Sequence, residues 1–161
     1  MRELLKRVYD SKKISTALKI ISHVSVLGGV IAYLAIVIHA FLSDTVLGIK
    51  LIFSAGVPFV LVSILRRIID APRPYELYDF YEKKPKDKKG RSFPSRHVFS
   101  AFVIAMLSFP TSPALGAALC VLGIALAVSR VLLGIHFIRD VAAGALIGIL
   151  SGAFGILIVL T

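Results

Sequence analysis

The sequence predicts an all-α fold: a polytopic membrane helix bundle with about five transmembrane helices plus an N-terminal amphipathic surface helix. Three observations predict it. The 161-residue chain is 57 % apolar, with a mean hydropathy of +0.88. Only 17 % of its residues are charged, against ~25 % in an ordinary soluble domain. The charges are also segregated. From Val98 to Thr161 they are Arg130, Arg139 and Asp140 alone, and between Ile20 and Leu65 only Asp44 and Lys50. The rest crowd into residues 1–19, 66–70 and 73–96. This composition excludes a disordered chain, and one cysteine, Cys120, excludes an internal disulfide. A net charge of +10 invites a nucleic-acid reading. Such a protein, however, would spread its basic residues over a groove-facing surface rather than confine them between apolar runs. No nucleic-acid partner is expected; the partner is the lipid bilayer.

The elements follow in order. Residues 1–13 set Leu4, Leu5 and Val8 among Arg2, Lys6, Arg7, Lys12 and Lys13, the pattern of an amphipathic helix lying on a membrane surface. No short apolar segment with a small-residue cleavage site follows, so a cleaved signal peptide is not expected. The apolar runs Leu18–Leu42, Val46–Ile69, Ser95–Phe109, Ala114–Leu133 and Phe137–Leu160 are then read as spans, since a lipid-embedded backbone must satisfy itself as helix. The third is too short to cross a ~30 Å hydrocarbon core and is expected to start inside a protein-lined cavity. Pro110-Thr111-Ser112-Pro113 is a tight turn between antiparallel helices. The whole chain, 1–161, is expected to form one domain, with 1–14 as the surface tail and 71–94 as a loop on the side of the site.

Five crossings place the N-terminal tail, Ala71–Pro94 and Arg130–His136 on one face. Arginines from three spans converge there: Arg66 and Arg67, Arg96, and Arg130, with Arg73 close behind. An arginine at membrane depth is usually held by a partner or an anion, and its fork matches phosphate oxygens. Arg67 and Arg139 taken singly read as ordinary snorkelling side chains. His23 and His39 are isolated in the first span and read as structural. His97 and His136 each begin a span on the arginine-rich face. His136 and Asp140 lie four residues apart, a spacing that stacks them on one side of a helix. A carboxylate on one ring nitrogen leaves the lone pair of the other free for attack. Gly144, Gly148 and Gly152 continue the stripe, either clamping this helix to its neighbours or forming a homodimer seam. Phe93-Pro94-Ser95-Arg96-His97 opens the third span as an anion seat built from helix amides, with His97 placed to protonate a departing oxygen. A simple Ser95 cap is the plainer reading.

Arg66-x6-Arg73-Pro74, Pro94-Ser95-Arg96-His97 and Ser129-Arg130-x5-His136-x3-Asp140 together resemble the three-part signature of the type 2 phosphatidic acid phosphatases. These are membrane lipid phosphatases that share their site with the vanadium haloperoxidases. Their pattern is K-x6-R-P, P-S-G-H and S-R-x5-H-x3-D. The resemblance implies that His136 is the nucleophile forming a phosphohistidine, that Asp140 orients it, and that His97 is the general acid. It implies phosphate binding by Arg66, Arg73, Ser95 and Arg130, and no metal or other cofactor. Two positions depart from the pattern. Arg66 replaces a lysine, which keeps the charge. Arg96 replaces a glycine and is read as a further phosphate ligand. Five spans also stand where the family core commonly has six.

A site at the membrane rim suits a lipid phosphate whose tail stays in the bilayer. Tyr75, Tyr78, Phe80 and Tyr81 either roof that site or form an interfacial belt. The expected substrate is a phosphomonoester lipid of phosphatidate or phosphatidylglycerol phosphate type, with an undecaprenyl or prenyl diphosphate as the alternative. A non-catalytic anionic-lipid-binding protein would use the same basic rim but not the His136–Asp140 pair. The basic tail and the Lys83–Lys89 cluster favour the cytoplasmic face for the site. Oligomeric state is left open.

Overall fold

A computed structural model describes residues 1–81 and 89–161. Most of the Lys83–Lys89 cluster therefore lies outside the described residues. The described chain runs α1 (Arg2–Asp10), α2 (Lys12–Ser43), α3 (Thr45–Ile69), the short α4 (Pro74–Leu77), α5 (Arg96–Ser108), α6 (Pro113–Leu132) and α7 (Ile138–Leu160). Helices α2, α3, α6 and α7 are each long and apolar enough to cross a membrane, and α5 is the shorter apolar helix. The protein is an all-α, multi-pass membrane bundle.

The caps explain the breaks. The amphipathic segment is shorter than residues 1–13, because Ser11 leaves helical geometry and its hydroxyl accepts a bond from the Ile14 amide at 3.4 Å. Lys12 and Lys13 thus open α2, and the surface helix ends at Asp10. Asp44 alone links α2 to α3, its carboxylate accepting from the Val46 amide at 2.9 Å. Ser112 caps α6 through the Leu115 amide at 3.3 Å, with Pro113 in the first turn, where its missing N–H costs nothing.

α5 is the axle of the bundle. Its side chains Val98, Phe99, Phe102, Val103, Ala105 and Leu107 are buried against the other spans, whereas Leu27, Ile38, Phe53, Leu61, Val121 and Phe154 on the long helices point outward. Lipid tails are as apolar as leucine, so close packing rather than transfer from water must hold α5 in place. The glycine stripe supplies that packing. A Cβ on Gly144 would stand 2.6 Å from the Ser95 carbonyl oxygen, and one on Gly148 would stand 2.6 Å from that of Phe99. Gly152 lies against the Met106 side chain, with the Val103 carbonyl oxygen 3.2 Å from where a Cβ would stand. Of the two sequence readings, the stripe is the internal clamp. It presses α7 onto α5.

Candidate active site

The C-terminal ends of α3 and α6 and the N-terminal ends of α5 and α7 meet at one end of the bundle, where residues 89–95 are laced between them. Asp70 ends α3 in left-handed geometry, and its carboxylate accepts from the Arg91 amide at 3.1 Å. Glu76 accepts from the Arg73 amide at 3.2 Å and the Gly90 amide at 2.8 Å. Arg66, in the last turn of α3, donates to the carbonyls of Ser92, Pro94 and Arg91. Arg73 donates to the Gly90 carbonyl at 2.9 Å and to that of Ile135 at 3.2 Å. The two arginines therefore join the segment before α5 to the loop before α7.

That second loop carries His136. Gly134 takes φ +67, and a side chain there would run into the Tyr81 hydroxyl. The amides of Ile135 and His136 both donate to the Arg130 carbonyl, at 3.0 and 3.2 Å. α7 starts only at Ile138, so His136 precedes the helix and does not stack on it, as the spacing of four suggests. The pair forms because Asp140 folds back as a helix cap, its Oδ2 accepting from the Phe137 amide at 2.9 Å. His136 Nδ1 then lies 3.6 Å from that oxygen. Ser92 fills the gap, with its hydroxyl 2.5 Å from Asp140 Oδ2 and 3.2 Å from His136 Nδ1. Burial lowers the His136 pKa to about 4, with Arg73 and Arg66 acting in the same sense and Asp140 opposing them. The ring is neutral at neutral pH, the form a nucleophile requires.

A cavity of about 450 Å³ opens beside this ring, lined by Arg66, Arg73, Arg96, His97 and His136, with Arg67, Lys89 and Arg91 adding charge. Of the expected site residues, those five reach its wall. Asp140 lies behind His136, while Ser95 and Arg130 are buried outside the lining, and Ser95 Oγ and Arg130 Nε are without hydrogen-bond partners in the described structure. The Ser95 hydroxyl makes no helix-capping bond. Arg96 packs over the Phe59 ring, 5.2 Å from its centroid, and together with His97 it also lines an apolar cleft of about 220 Å³ containing Val26, Ala101, Ile104 and Leu126.

Of the two readings of the four aromatics, roof or interfacial belt, the roof does not form. Tyr75 and Tyr81 are buried, Tyr81 packs edge-on against Tyr9 of α1, and none of the four aromatics lines the cavity. Tyr75 instead underlies Arg73, whose guanidinium lies 5.9 Å from the ring centroid. Sequence reasoning missed Ser92 and Glu76. A Pro at the first helical position with Glu two residues later, Arg73-Pro74-Tyr75-Glu76, was a readable cap signal for Glu76. Ser92 had none. Among the described residues no group of three or more His, Cys, Asp or Glu is placed to hold a metal ion.

Fold and site together define a polytopic helical membrane protein with an imidazole–carboxylate pair facing a cation-lined cavity at one end of the bundle. The PAP2 superfamily model matches residues 47–161, and the chain belongs to that superfamily. It is 33 % identical over 108 residues to the bacitracin transport permease protein BcrC of Bacillus licheniformis, a match covering 65 % of this chain and about half (53 %) of that relative. The crystal structure of LpxE from Aquifex aeolicus superposes with a TM-score of 0.73 at 26 % identity, covering 96 % of this chain and 93 % of that one. A PAP2-type phosphatidylglycerolphosphate phosphatase from Bacillus subtilis shares the fold, with a TM-score of 0.62 at 21 % identity over 96 % and 90 % of the two chains.

Proposed function

We propose that the protein is a membrane lipid phosphatase that hydrolyses a phosphomonoester lipid through a phosphohistidine on His136, without a metal. The observation that carries this reading is the buried His136–Ser92–Asp140 cluster at the wall of a cavity ringed by guanidinium groups. His136 Nε2 attacks phosphorus, and the bond from phosphorus to the lipid oxygen breaks. His97, on the same wall, gives the departing oxygen its proton. Water then cleaves the N–P bond, with His97 taking the water's proton, and inorganic phosphate leaves. Arg66, Arg73 and Arg96 stabilise the charge that builds on the phosphoryl oxygens. Ser95 and Arg130 join them once an anion draws these buried groups inward. The apolar cleft next to Arg96 takes the first part of the lipid chain, and the rest stays in the bilayer.

Phosphate release from a panel of phospholipid and prenyl phosphates, assayed in detergent with chelator present, tests the proposal. Release abolished by chelator, or unchanged in His136→Ala, overturns it. A lipid diphosphate is the second reading. It is favoured by six cationic side chains on one cavity, Arg66, Arg67, Arg73, Lys89, Arg91 and Arg96, more than a single dianion needs. A non-catalytic lipid-binding role would leave the His136–Asp140 pair idle, and the same His136→Ala comparison separates it. The basic N-terminal tail supports a cytoplasmic face for the site through the positive-inside rule.

A further inference from the structure

We propose that Ser92 is a positioning residue that couples His136 to Asp140, accepting a hydrogen bond from Nδ1–H and donating its own to the carboxylate. This rests on His136 being the nucleophile, and it adds to the recognised motifs a residue that none of them contains. At 3.6 Å the imidazole and carboxylate are beyond direct hydrogen-bond distance, whereas the serine hydroxyl reaches both, at 3.2 and 2.5 Å. The directions are forced. A carboxylate only accepts, and a hydroxyl has one proton to give. The Ser92 proton therefore goes to Asp140, and its lone pair faces the ring, which must present Nδ1–H. The lone pair is thereby left on Nε2.

Ser92 is held for this task. It is fully buried, its amide donates to the Ala71 carbonyl at 2.9 Å, and its carbonyl accepts from Arg66 at 3.3 Å. Arg66 thus sets the serine through the backbone while its guanidinium lines the cavity. In the reaction, Nε2 forms its bond to phosphorus as the phosphorus–oxygen bond to the lipid breaks, and the ring becomes cationic. Both hydrogen bonds then strengthen, because Nδ1–H is now borne by a charged ring with a carboxylate two bonds along. When water breaks the N–P bond, the ring returns to neutral with Nδ1–H still in place. No proton leaves the relay over the cycle.

The test uses the full chain in detergent, ¹⁵N-labelled at histidine, with dioctanoyl phosphatidate as the kinetic probe and the His136 signal assigned by its loss in His136→Gln. At neutral pH the wild type should show the Nδ1–H tautomer. Ser92→Ala should lose that preference and lower kcat by about 10- to 100-fold, the scale of a lost orienting partner, with KM within about two-fold. Ser92→Thr, which keeps the hydroxyl, should retain the tautomer. In an Asp140→Asn background Ser92→Ala should cost less than about two-fold more, since the relay is already cut. A wild-type Nε2–H tautomer overturns the proposal without any variant. So does an undiminished Ser92→Ala loss in the Asp140→Asn background, the mark of a merely structural serine. The tautomer is read without substrate, so absent phosphate release counts against the phosphatase reading alone.

Discussion

His136 is buried and its pKa is lowered, and its removal and its titration each make a prediction. His136→Ala should reduce lipid phosphate hydrolysis by at least about 10³-fold, the cost of removing a covalent nucleophile. The depressed His136 pKa of about 4 also sets a sign for acid stability. The unfolded imidazole takes its proton near pH ~6.5, whereas the folded one resists until about 4. Unfolding therefore binds a proton, and stability present above pH ~6.5 is lost as pH falls toward 4. The thermal midpoint in detergent should drop across that window, and drop less in His136→Gln. Arg96 tests a different property. It stands at the neck between the polar cavity and the apolar cleft, where the related pattern has glycine. Arg96→Gly should lower kcat/KM by about ten-fold, with part of the loss in kcat, because the guanidinium that holds the phosphoryl oxygens also stabilises the charge that builds on them. The motif residues were legible at this scale because type and spacing carry them. Ser92 was not, since a lone serine before Phe93-Pro94 acquires meaning only when folding sets it between two distant side chains.

At the level of elements, α5 and α7 are the pair that matters. Gly144 lets the α7 backbone approach Ser95, and the Ser95 amide in turn donates to the Asp140 carbonyl at 2.8 Å. Gly144→Ala should therefore push the start of α5, with His97, away from His136. We expect about 1–3 kcal/mol of destabilisation from overpacking, together with a clear fall in kcat. Gly152→Ala lies deeper, against Met106, and should cost stability with a smaller effect on rate. Unfolding and initial-rate measurements on both variants check the contrast. The spans were readable from hydropathy to within a few residues at most ends, because lipid permits little besides helix. The helix starts were less readable. Ser11 interrupts the basic tail and Asp140 moves the start of α7 past His136, since single capping bonds decide both points. The direction of the glycine stripe was likewise open until a partner backbone lay against it.

The whole molecule gathers its polar chemistry at one end because five alternating helices leave it no other place, and α1 completes that end from outside. Leu5 and Val8 are buried, and a pocket lined by Leu5, Pro74, Val131, Phe137 and His136 lies between α1 and the loop that carries His136. Leu5→Ala should cost about 2 kcal/mol or more, as other buried leucines do, and should lower activity with it. A calorimetric scan and a rate measurement at matched detergent would show both. Reporter fusions at the N-terminus should report the cytoplasm if the basic tail sets orientation. The brevity of α5 has a last consequence. Its 13 residues rise only ~20 Å, less than a ~30 Å oily layer, and on the proposed reading this sets the arginine-lined mouth below the level of the headgroups. A lipid substrate of the proposed kind would then drift sideways to its fate without being hoisted from the leaflet. If the protein is the proposed lipid phosphatase, the severed phosphate leaves through that mouth into water while the greasy remainder diffuses off in the plane, so the two products separate by solubility alone.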